Sequence, residues 1–287
     1  MTSAALPDVQ RRVPIPGAVW VLPPVVVLGA LFLYPLSLIA HEALSSPAGL
    51  SLTNFVSVIN TGAFQSALAN TLEISLSASA GCIVLGFVIA LILAFVPFPG
   101  SRIVARLIET YIAVPTFLVA LAFTFLYGSA GILNASLMRL IGLPLPPLDF
   151  LYSPWGVILA EMTVYTPFAL RPLLAAFSTI DPAQLEIATS LGARSRRIVL
   201  TIILPAAIPA LLAGGSLCLL LTLNEFGIVL FIGAKGVITL PLLIYDKAIQ
   251  EFDYPTACVV AIVNVALSLA LYTLYRAAPG GMGGAEC

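Results

Sequence analysis

The stretch that decides the fold is Glu186–Gly192 (EIATSLG), followed after nine residues by Ile202–Pro205 (IILP). It lies in a polar break between two long apolar segments, and Arg194, Arg196 and Arg197 lie in the same break. A short helix between two membrane spans has too little apolar surface to fold alone, so it needs a groove in which to lie. The pattern therefore indicates a loop to which another protein binds.

The composition places the rest of the chain in a membrane. Of its 287 residues, 60% are hydrophobic and 9% are charged, whereas a soluble domain carries roughly 25% charged residues. Such a chain cannot cover its surface with polar groups, so lipid must cover it. The net charge of −1 gives no global field that would favour a nucleic-acid partner.

Six segments are long and apolar enough to span a bilayer, which takes about 20 mostly apolar residues. The predicted spans are 19–40, 68–96, 104–126, 155–177, 198–223 and 256–275. We therefore predict an all-α, polytopic membrane protein with one transmembrane domain over residues 19–276. The apolar segment Thr239–Tyr245 is too short to span, which predicts a re-entrant or interfacial piece.

The basic residues predict the orientation. With the N-terminus inside, the arginines near cytoplasmic ends of spans are Arg11, Arg12, Arg102, Arg106, Arg171, Arg194, Arg196, Arg197 and Arg276. Only Arg139, Lys235 and Lys247 fall outside, which is the positive-inside pattern. It predicts two cytoplasmic termini, a cytoplasmic N-terminal segment over 1–18, a cytoplasmic loop over 178–197 and a flexible tail over 277–287.

The loop sequence predicts a capped helix of about ten residues. Asp181 can cap it, Pro182 suits its first position, and Gly192 can end it in the left-handed conformation. Leu185, Ala188 and Leu191 recur every three residues and predict one apolar stripe. Glu186 lies off the stripe and stays available to a partner. The alternative is an amphipathic helix that rests on the membrane.

Polar residues within or beside the spans predict a candidate substrate path. Ionisable groups inside a membrane are costly and usually functional. The candidates are Asn70, Thr71, Glu161, Tyr165, Asn224 and Glu225, with Glu161 the deepest acid. A structural role in joining helices is an equal alternative for each, because pore-facing and helix-joining polar residues look alike in sequence.

Two further patterns concern helix geometry. Ala78, Cys82, Gly86, Ala90 and Ala94 recur every four residues and predict a close-packed seam on the second span. Pro205 and Pro209 enter the fifth span one turn apart and predict a bend there, since each removes a backbone hydrogen bond.

Several site types are absent from the sequence. It has no G-x-x-x-x-G-K-[ST] loop, so we expect no ATP or other cofactor to bind this chain itself. His41 is the single histidine, and no two of the four cysteines form a C-x-x-C pair, so we expect no metal site. No nucleophile lies beside a base in a polar loop, which indicates a transport protein and not an enzyme.

The loop closely resembles the E-A-A-x-x-x-G-(nine residues)-I-x-L-P signature of bacterial ABC importer permeases, with Ile187 as its one departure. The chain as a whole is similar to the six-helix permeases of the sulfate, molybdate, iron and phosphonate group. Blocks from Ile92 to Gly236 resemble the permease subunits of 2-aminoethylphosphonate importers. Among these blocks are Phe123–Asn134, Leu145–Tyr152 and Asn224–Gly236.

The resemblance implies an inner-membrane permease that works by alternating access. It implies separate ABC ATPase subunits that use ATP, a second permease subunit or a second copy of this chain, and a periplasmic substrate-binding protein. The implied ATPase-coupling residues are Asp181, Glu186, Ala188, Gly192, Arg194, Arg196, Arg197 and Pro205. The alternatives are a permease for sulfate, ferric iron or polyamine, and an ion-coupled carrier that needs no ATPase.

Overall fold

The structure is a computed structural model that describes residues 17–46 and 49–277. Within those residues the only sheet is a hairpin of two short strands, β1 (Ser45–Ser46) and β2 (Gly49–Leu50), which pair antiparallel. The α-helices of the same residues are α1 (Gly17–Leu28), α2 (Tyr34–Leu44), α3 (Thr53–Ile59), α4 (Gly62–Phe95), α5 (Ser101–Tyr111), α6 (Thr116–Tyr127), α7 (Ile132–Ile141), α8 (Pro154–Ser178), α9 (Pro182–Ser190), α10 (Ser195–Ile198), α11 (Leu204–Leu223), α12 (Gly227–Ile232), α13 (Leu240–Tyr245) and α14 (Tyr254–Ala277). Turns of π-helix follow α1, α10 and α13 at Gly29–Leu33, Val199–Ile203 and Asp246–Gln250.

In the described part of the chain, six helical segments are long and apolar enough to cross a membrane. We call them the first to sixth spans: Val21–Leu44, Gly62–Phe95, Thr116–Ile141, Pro154–Ser178, Ser195–Leu223 and Tyr254–Tyr275. The all-α, six-span prediction is confirmed. The predicted segments 1–18 and 277–287, with Arg11 and Arg12, lie outside the described residues, apart from residues 17, 18 and 277, which are helical.

The third span differs from its prediction, which ran over residues 104–126. Helix α5 ends at Tyr111 and α6 begins at Thr116, and the span then extends through α7. Pro115 causes the break, because proline has no amide hydrogen and disfavours a helical conformation in the preceding residue. Arg102 and Arg106 therefore lie on the separate helix α5, where both are exposed.

The fourth span, α8, lies at the centre of the bundle and packs against α4 and α11. Its Ala169 lies between two glycines. A Cβ atom on Gly86 of α4 would lie 3.0 Å from the Ala169 Cβ atom, and one on Gly214 of α11 would lie 2.9 Å from the Ala169 Cα atom. Three helices approach closely here because two of them have no side chain at the contact.

The predicted seam on α4 is correct except at one end. Ala78, Cys82, Gly86 and Ala90 are buried, whereas Ala94 is exposed. Residues four apart advance about 400° around a helix, so each step turns the seam by about 40°. After four steps the last alanine has left the buried face.

The two ends of the bundle differ. The rings of Phe95 and Phe177, near the ends of α4 and α8, lie 5.3 Å apart at the end that carries residues 178–197, which we call the loop end. The hairpin, α3, α12 and α13 lie toward the opposite end. The predicted short segment Thr239–Tyr245 forms α13, whose Leu240 and Leu243 are buried. It packs against α4 and α14.

Candidate coupling loop and substrate path

Both ends of α9 are fixed by hydrogen bonds, as the sequence predicts. The Asp181 carboxylate caps the start by accepting a hydrogen bond of 2.9 Å from the Ala183 N–H group. Gly192 ends the helix with φ +80°. The Gly192 N–H donates to the Thr189 carbonyl group at 2.9 Å, and the Ala193 N–H donates to that of Ala188 at 3.0 Å. This pair of bonds is the Schellman motif, which requires a left-handed residue at the glycine position.

The surface of α9 differs in part from the predicted stripe. Leu185 is half-buried and packs against the core cluster at the loop end, and Ala188 is half-buried too. Leu191 differs from the other two residues of the predicted stripe, because 83% of its side chain is exposed. It lies at the helix end, where the chain turns away at Gly192. With Ile187, 60% exposed, it forms an apolar outer face beside the exposed Glu186.

The arginines of the loop form a basic segment after this face. Arg194 precedes α10, which contains Arg196 and Arg197, and all three are exposed. The single ion pair among the described residues joins Lys247 to Glu251 at 2.6 Å, so none of these arginines has an acidic partner there. The loop therefore presents uncompensated positive charge and exposed apolar side chains together.

Pro205 follows a π-helical turn. The Leu204 N–H donates to the carbonyl group of Val199, five residues earlier. A proline ring in a regular helix clashes with the carbonyl group four residues before it, and the wider turn relieves this clash. Pro35 follows the π turn Gly29–Leu33 in the same way. Where the sequence predicts a bend, the helix thus contains a π turn directly before Leu204 and Pro205.

Asn70 and Thr71 of α4 hold a loop at the opposite end of the bundle. The Asn70 amide donates to the carbonyl groups of Gly236 at 3.3 Å and Ile238 at 3.0 Å. The buried Thr71 hydroxyl accepts a hydrogen bond from the Leu240 N–H at 2.8 Å. Both side chains are thus used in joining the α12–α13 connection to α4.

Glu161, Tyr165 and Glu225 come together inside the bundle. The Tyr165 hydroxyl donates a hydrogen bond to one oxygen of Glu225, and the other oxygen accepts from the Ile228 N–H at 2.8 Å. Glu225 thereby caps α12 and ties it to α8. Glu161 is 1% exposed, lies near enough to interact with Glu225, and its Oε2 atom has no hydrogen-bond partner.

Asn224 belongs to a different polar group, between the fifth and sixth spans. Its Oδ1 atom accepts a hydrogen bond from the Asn264 amide at 3.1 Å, and its own amide donates to the Leu220 carbonyl at 2.8 Å and the Ser268 hydroxyl at 3.4 Å. Sequence reasoning missed Asn264 and Ser268. Their signal is a pair of polar residues four apart in an otherwise apolar span.

The site has no obvious reaction chemistry. No group of three or more histidine, cysteine, aspartate or glutamate side chains that could hold a metal ion occurs within residues 17–46 and 49–277. What the geometry offers is an exposed capped helix next to a basic segment, and a bundle that encloses a few polar side chains. This suits mechanical coupling to a partner better than catalysis.

Comparisons with known proteins point to one class. The model of the family described as "Binding-protein-dependent transport system inner membrane component" matches residues 83–279. A protein of Salmonella typhimurium, provisionally named 2-aminoethylphosphonate transport system permease protein PhnU, is 57% identical over 265 residues, covering 92% of this chain and 93% of that protein.

More distant matches agree. The sulfate transport system permease protein CysT of Escherichia coli K12 is 30% identical over 245 residues, or 84% of each chain. The fold is similar to a chain in the crystal structure of a bacterial alginate ABC transporter in complex with an alginate pentasaccharide-bound periplasmic protein. That match has a TM-score of 0.76 at 21% identity and covers 90% of this chain and 92% of that one.

Proposed function

Because this chain belongs to the family of binding-protein-dependent transport system inner membrane components, we propose that it forms the membrane path of an ATP-driven importer of 2-aminoethylphosphonate. The class itself follows from the family, the relatives and the fold. The chain is a multi-pass inner-membrane permease subunit of an ABC importer, a transport component and not an enzyme, whose ATPase is a separate subunit.

One observation carries the choice of substrate. The PhnU protein shares 57% of residues over 92% of this chain, whereas the sulfate permease shares 30% over 84%. The substrate is a zwitterion, with a phosphonate at one end of a two-carbon linker and an ammonium group at the other. A carboxylate can attract the ammonium group, and a cation can attract the phosphonate.

The coupling step acts through α9. The ATPase subunit binds the face formed by Glu186, Ile187 and Leu191, and the arginines after Gly192 add positive charge to the contact. Leu185 anchors the helix to the core at the loop end, so a pull on α9 moves α8 and α11 with it. ATP is bound by that partner, and closure of two ATPase subunits draws two such loops together.

The assembly we propose contains two permease subunits, either two copies of this chain or this chain and a related one. The loop end faces the cytoplasm, as do both termini. In the described residues, Arg102, Arg106, Arg194, Arg196 and Arg197 lie toward that end, which supports this orientation. A periplasmic binding protein delivers the substrate to the opposite end and supplies most of the affinity.

Glu161 is our candidate for the ammonium group. An unpaired carboxyl group costs free energy inside a membrane, and its Oε2 atom has no protein partner. Because the side chain is enclosed in this conformation, the contact requires α8 to separate from its neighbours as the path opens. Asn70, Thr71, Tyr165, Asn224 and Glu225 act in this picture mainly by holding the helices that border the path.

Uptake by the purified complex tests the function. The permease, its ATPase and the binding protein are reconstituted in proteoliposomes, and accumulation of labelled 2-aminoethylphosphonate is measured with ATP on the loop side. We expect uptake that requires ATP and the binding protein. Uptake of sulfate, ferric iron or a polyamine in its place would overturn the proposed identity of the substrate. Uptake driven by an ion gradient without ATP would overturn the importer mechanism.

A further inference from the structure

Arg171 occupies an unusual position for a basic residue. It lies seven residues before Ser178, the end of α8, which is about 10 Å along the helix axis. The other arginine and lysine residues in the six candidate spans of the described chain are Arg139, Arg196 and Arg197, and each lies within two residues of a span end. Arg171 is thus the deepest cation among those spans.

The side chain of Arg171 points away from the packed core. Its neighbours Ala169, Leu170 and Leu173 are buried against α4 and α11, whereas Arg171 is exposed. Thr163, two turns earlier, is also exposed on α8. The central helix of the bundle therefore has an open side, on which Thr163 and Arg171 lie together with the exposed apolar residues Trp155 and Leu159.

No group in the described part of the chain compensates this charge. The Arg171 guanidinium makes no ion pair there, since the single pair is Lys247–Glu251. An uncompensated cation at membrane depth is costly, so the open side must face water, an anion or both. A guanidinium group presents two parallel N–H donors, which match two oxygens of a phosphonate as they match those of a phosphate.

We propose that Arg171 binds the phosphonate group of the substrate in the half of the membrane nearest the coupling loop. The proposal rests on the proposed function, because it takes the transported solute to be an aminophosphonate. It makes Arg171 a substrate-contacting residue on the inner part of the path.

The spacing on α8 separates this contact from the one proposed for Glu161. The two residues are ten apart in one helix, or about 15 Å along its axis. A two-carbon linker cannot reach across that distance. The ammonium contact and the phosphonate contact therefore follow one another during passage, with the carboxylate nearer the delivery end and the guanidinium nearer the exit.

A carboxylate on the second permease subunit could supply the same anionic chemistry. Recovery of the intact complex separates the two sources, because loss of an ion pair between the subunits would weaken assembly, and charge rescue shows that a cation is required. Arg171→Cys is placed in a variant whose four native cysteines are replaced. It is then treated with 2-aminoethyl methanethiosulfonate, which restores a cation, or with the 2-sulfonatoethyl reagent, which adds an anion. Arg106→Cys on α5, exposed and outside the spans, is the matched control.

We measure uptake, recovery of the intact complex, and ATP hydrolysis stimulated by the loaded binding protein. For Arg171→Cys we expect uptake reduced roughly tenfold or more, with assembly and stimulated hydrolysis retained. The aminoethyl reagent should restore uptake and the sulfonate should not, while Arg106→Cys stays active throughout. Normal uptake by Arg171→Cys, equal effects of the two reagents, or loss of the complex would overturn the proposal. Failure of the unsubstituted protein to take up 2-aminoethylphosphonate would instead reject the proposed function.

Discussion

The hydroxyl group of Tyr165 in the fourth span donates a hydrogen bond to the carboxylate of Glu225, which follows the fifth span. Glu225 also caps α12 through the Ile228 N–H. One side chain of the central helix thus fixes the start of a helix at the far end of the bundle.

Removal of this hydroxyl should destabilise the protein. Tyr165→Phe leaves a buried carboxylate oxygen without its donor, at a cost of about 1–3 kcal/mol. The measurement is the midpoint of thermal unfolding in detergent. The control is Tyr254→Phe, which alters a tyrosine that is 53% exposed. Equal midpoints for the two variants would contradict a structural role for the Tyr165–Glu225 bond.

The close contact at Gly214 gives a second stability prediction. In Gly214→Ala the new methyl group would lie 2.9 Å from the Ala169 Cα atom, so α11 must move away from α8. Overpacking of this kind costs about 1–3 kcal/mol. Gly29→Ala is the control, because its added Cβ would meet no atom within 4 Å outside its chain neighbours and the backbone of its own helix. A lower unfolding midpoint for Gly214→Ala alone is expected, and no difference between the variants would show that the helices part easily.

The orientation predicts opposite labelling of two sites. Cysteines introduced at Ser190 in α9 and at Thr61 before α4, in a background without native cysteines, are exposed to a membrane-impermeant thiol reagent in sealed vesicles. Inside-out vesicles should label Ser190→Cys, and right-side-out vesicles should label Thr61→Cys. Three spans, the second to the fourth, lie between the two sites, so they must lie on opposite sides of the membrane. Labelling of both cysteines from one side would contradict the six-span topology.

Substitutions in the coupling loop should stop ATP-driven uptake without preventing the protein from folding. Gly192→Pro removes the N–H that bonds to Thr189 and forbids φ +80°. We expect normal insertion but no ATP-driven uptake. The matched control is Gly142→Pro, since Gly142 ends α7 with φ +70° in the same way but lies outside the loop. Glu186→Arg should also stop uptake, because it reverses the charge that we expect the ATPase subunit to contact.

Glu161→Gln tests the ammonium contact. The change removes the charge with little change in volume, so we expect weaker uptake of 2-aminoethylphosphonate and an intact complex. Simple alkylphosphonates, which lack the ammonium group, should compete poorly with the substrate. If Glu161→Gln transports as well as the unsubstituted protein, Glu161 is a buried packing residue and the ammonium group is recognised elsewhere.

Local features of this chain could be predicted from its sequence. Hydropathy predicted the number of spans and the approximate position of five of them, because the bilayer demands about 20 apolar residues whatever the tertiary structure. The caps of α9 could be predicted because Asp181 and Gly192 act on the backbone within a few residues. The bounds of the third span could not be predicted in this way. Pro115 divides an apolar segment whose composition alone shows no boundary.

Contacts between distant segments were beyond sequence reasoning. Thr71 was a path candidate, but its hydroxyl group bonds to the Leu240 N–H, 169 residues away. Leu191 fits a three-residue period, yet only the turn of the chain at Gly192 decides that it stays exposed. Periodicity reports which residues share a face, and tertiary structure decides what that face meets.

The π turn at Val199–Ile203 changes the rotational phase of the fifth span. One additional residue in a turn rotates everything beyond it by about 100° relative to a regular helix. A helical wheel drawn at constant pitch from Arg196 to Leu223 therefore assigns one end to the wrong face. Deletion of one residue within the turn would cancel the offset, swing the arginine-bearing segment around the axis and return the Pro205 ring to its clash. The direction in which the loop leaves the bundle, measured around the axis of the fifth span, is thus set by this single π turn.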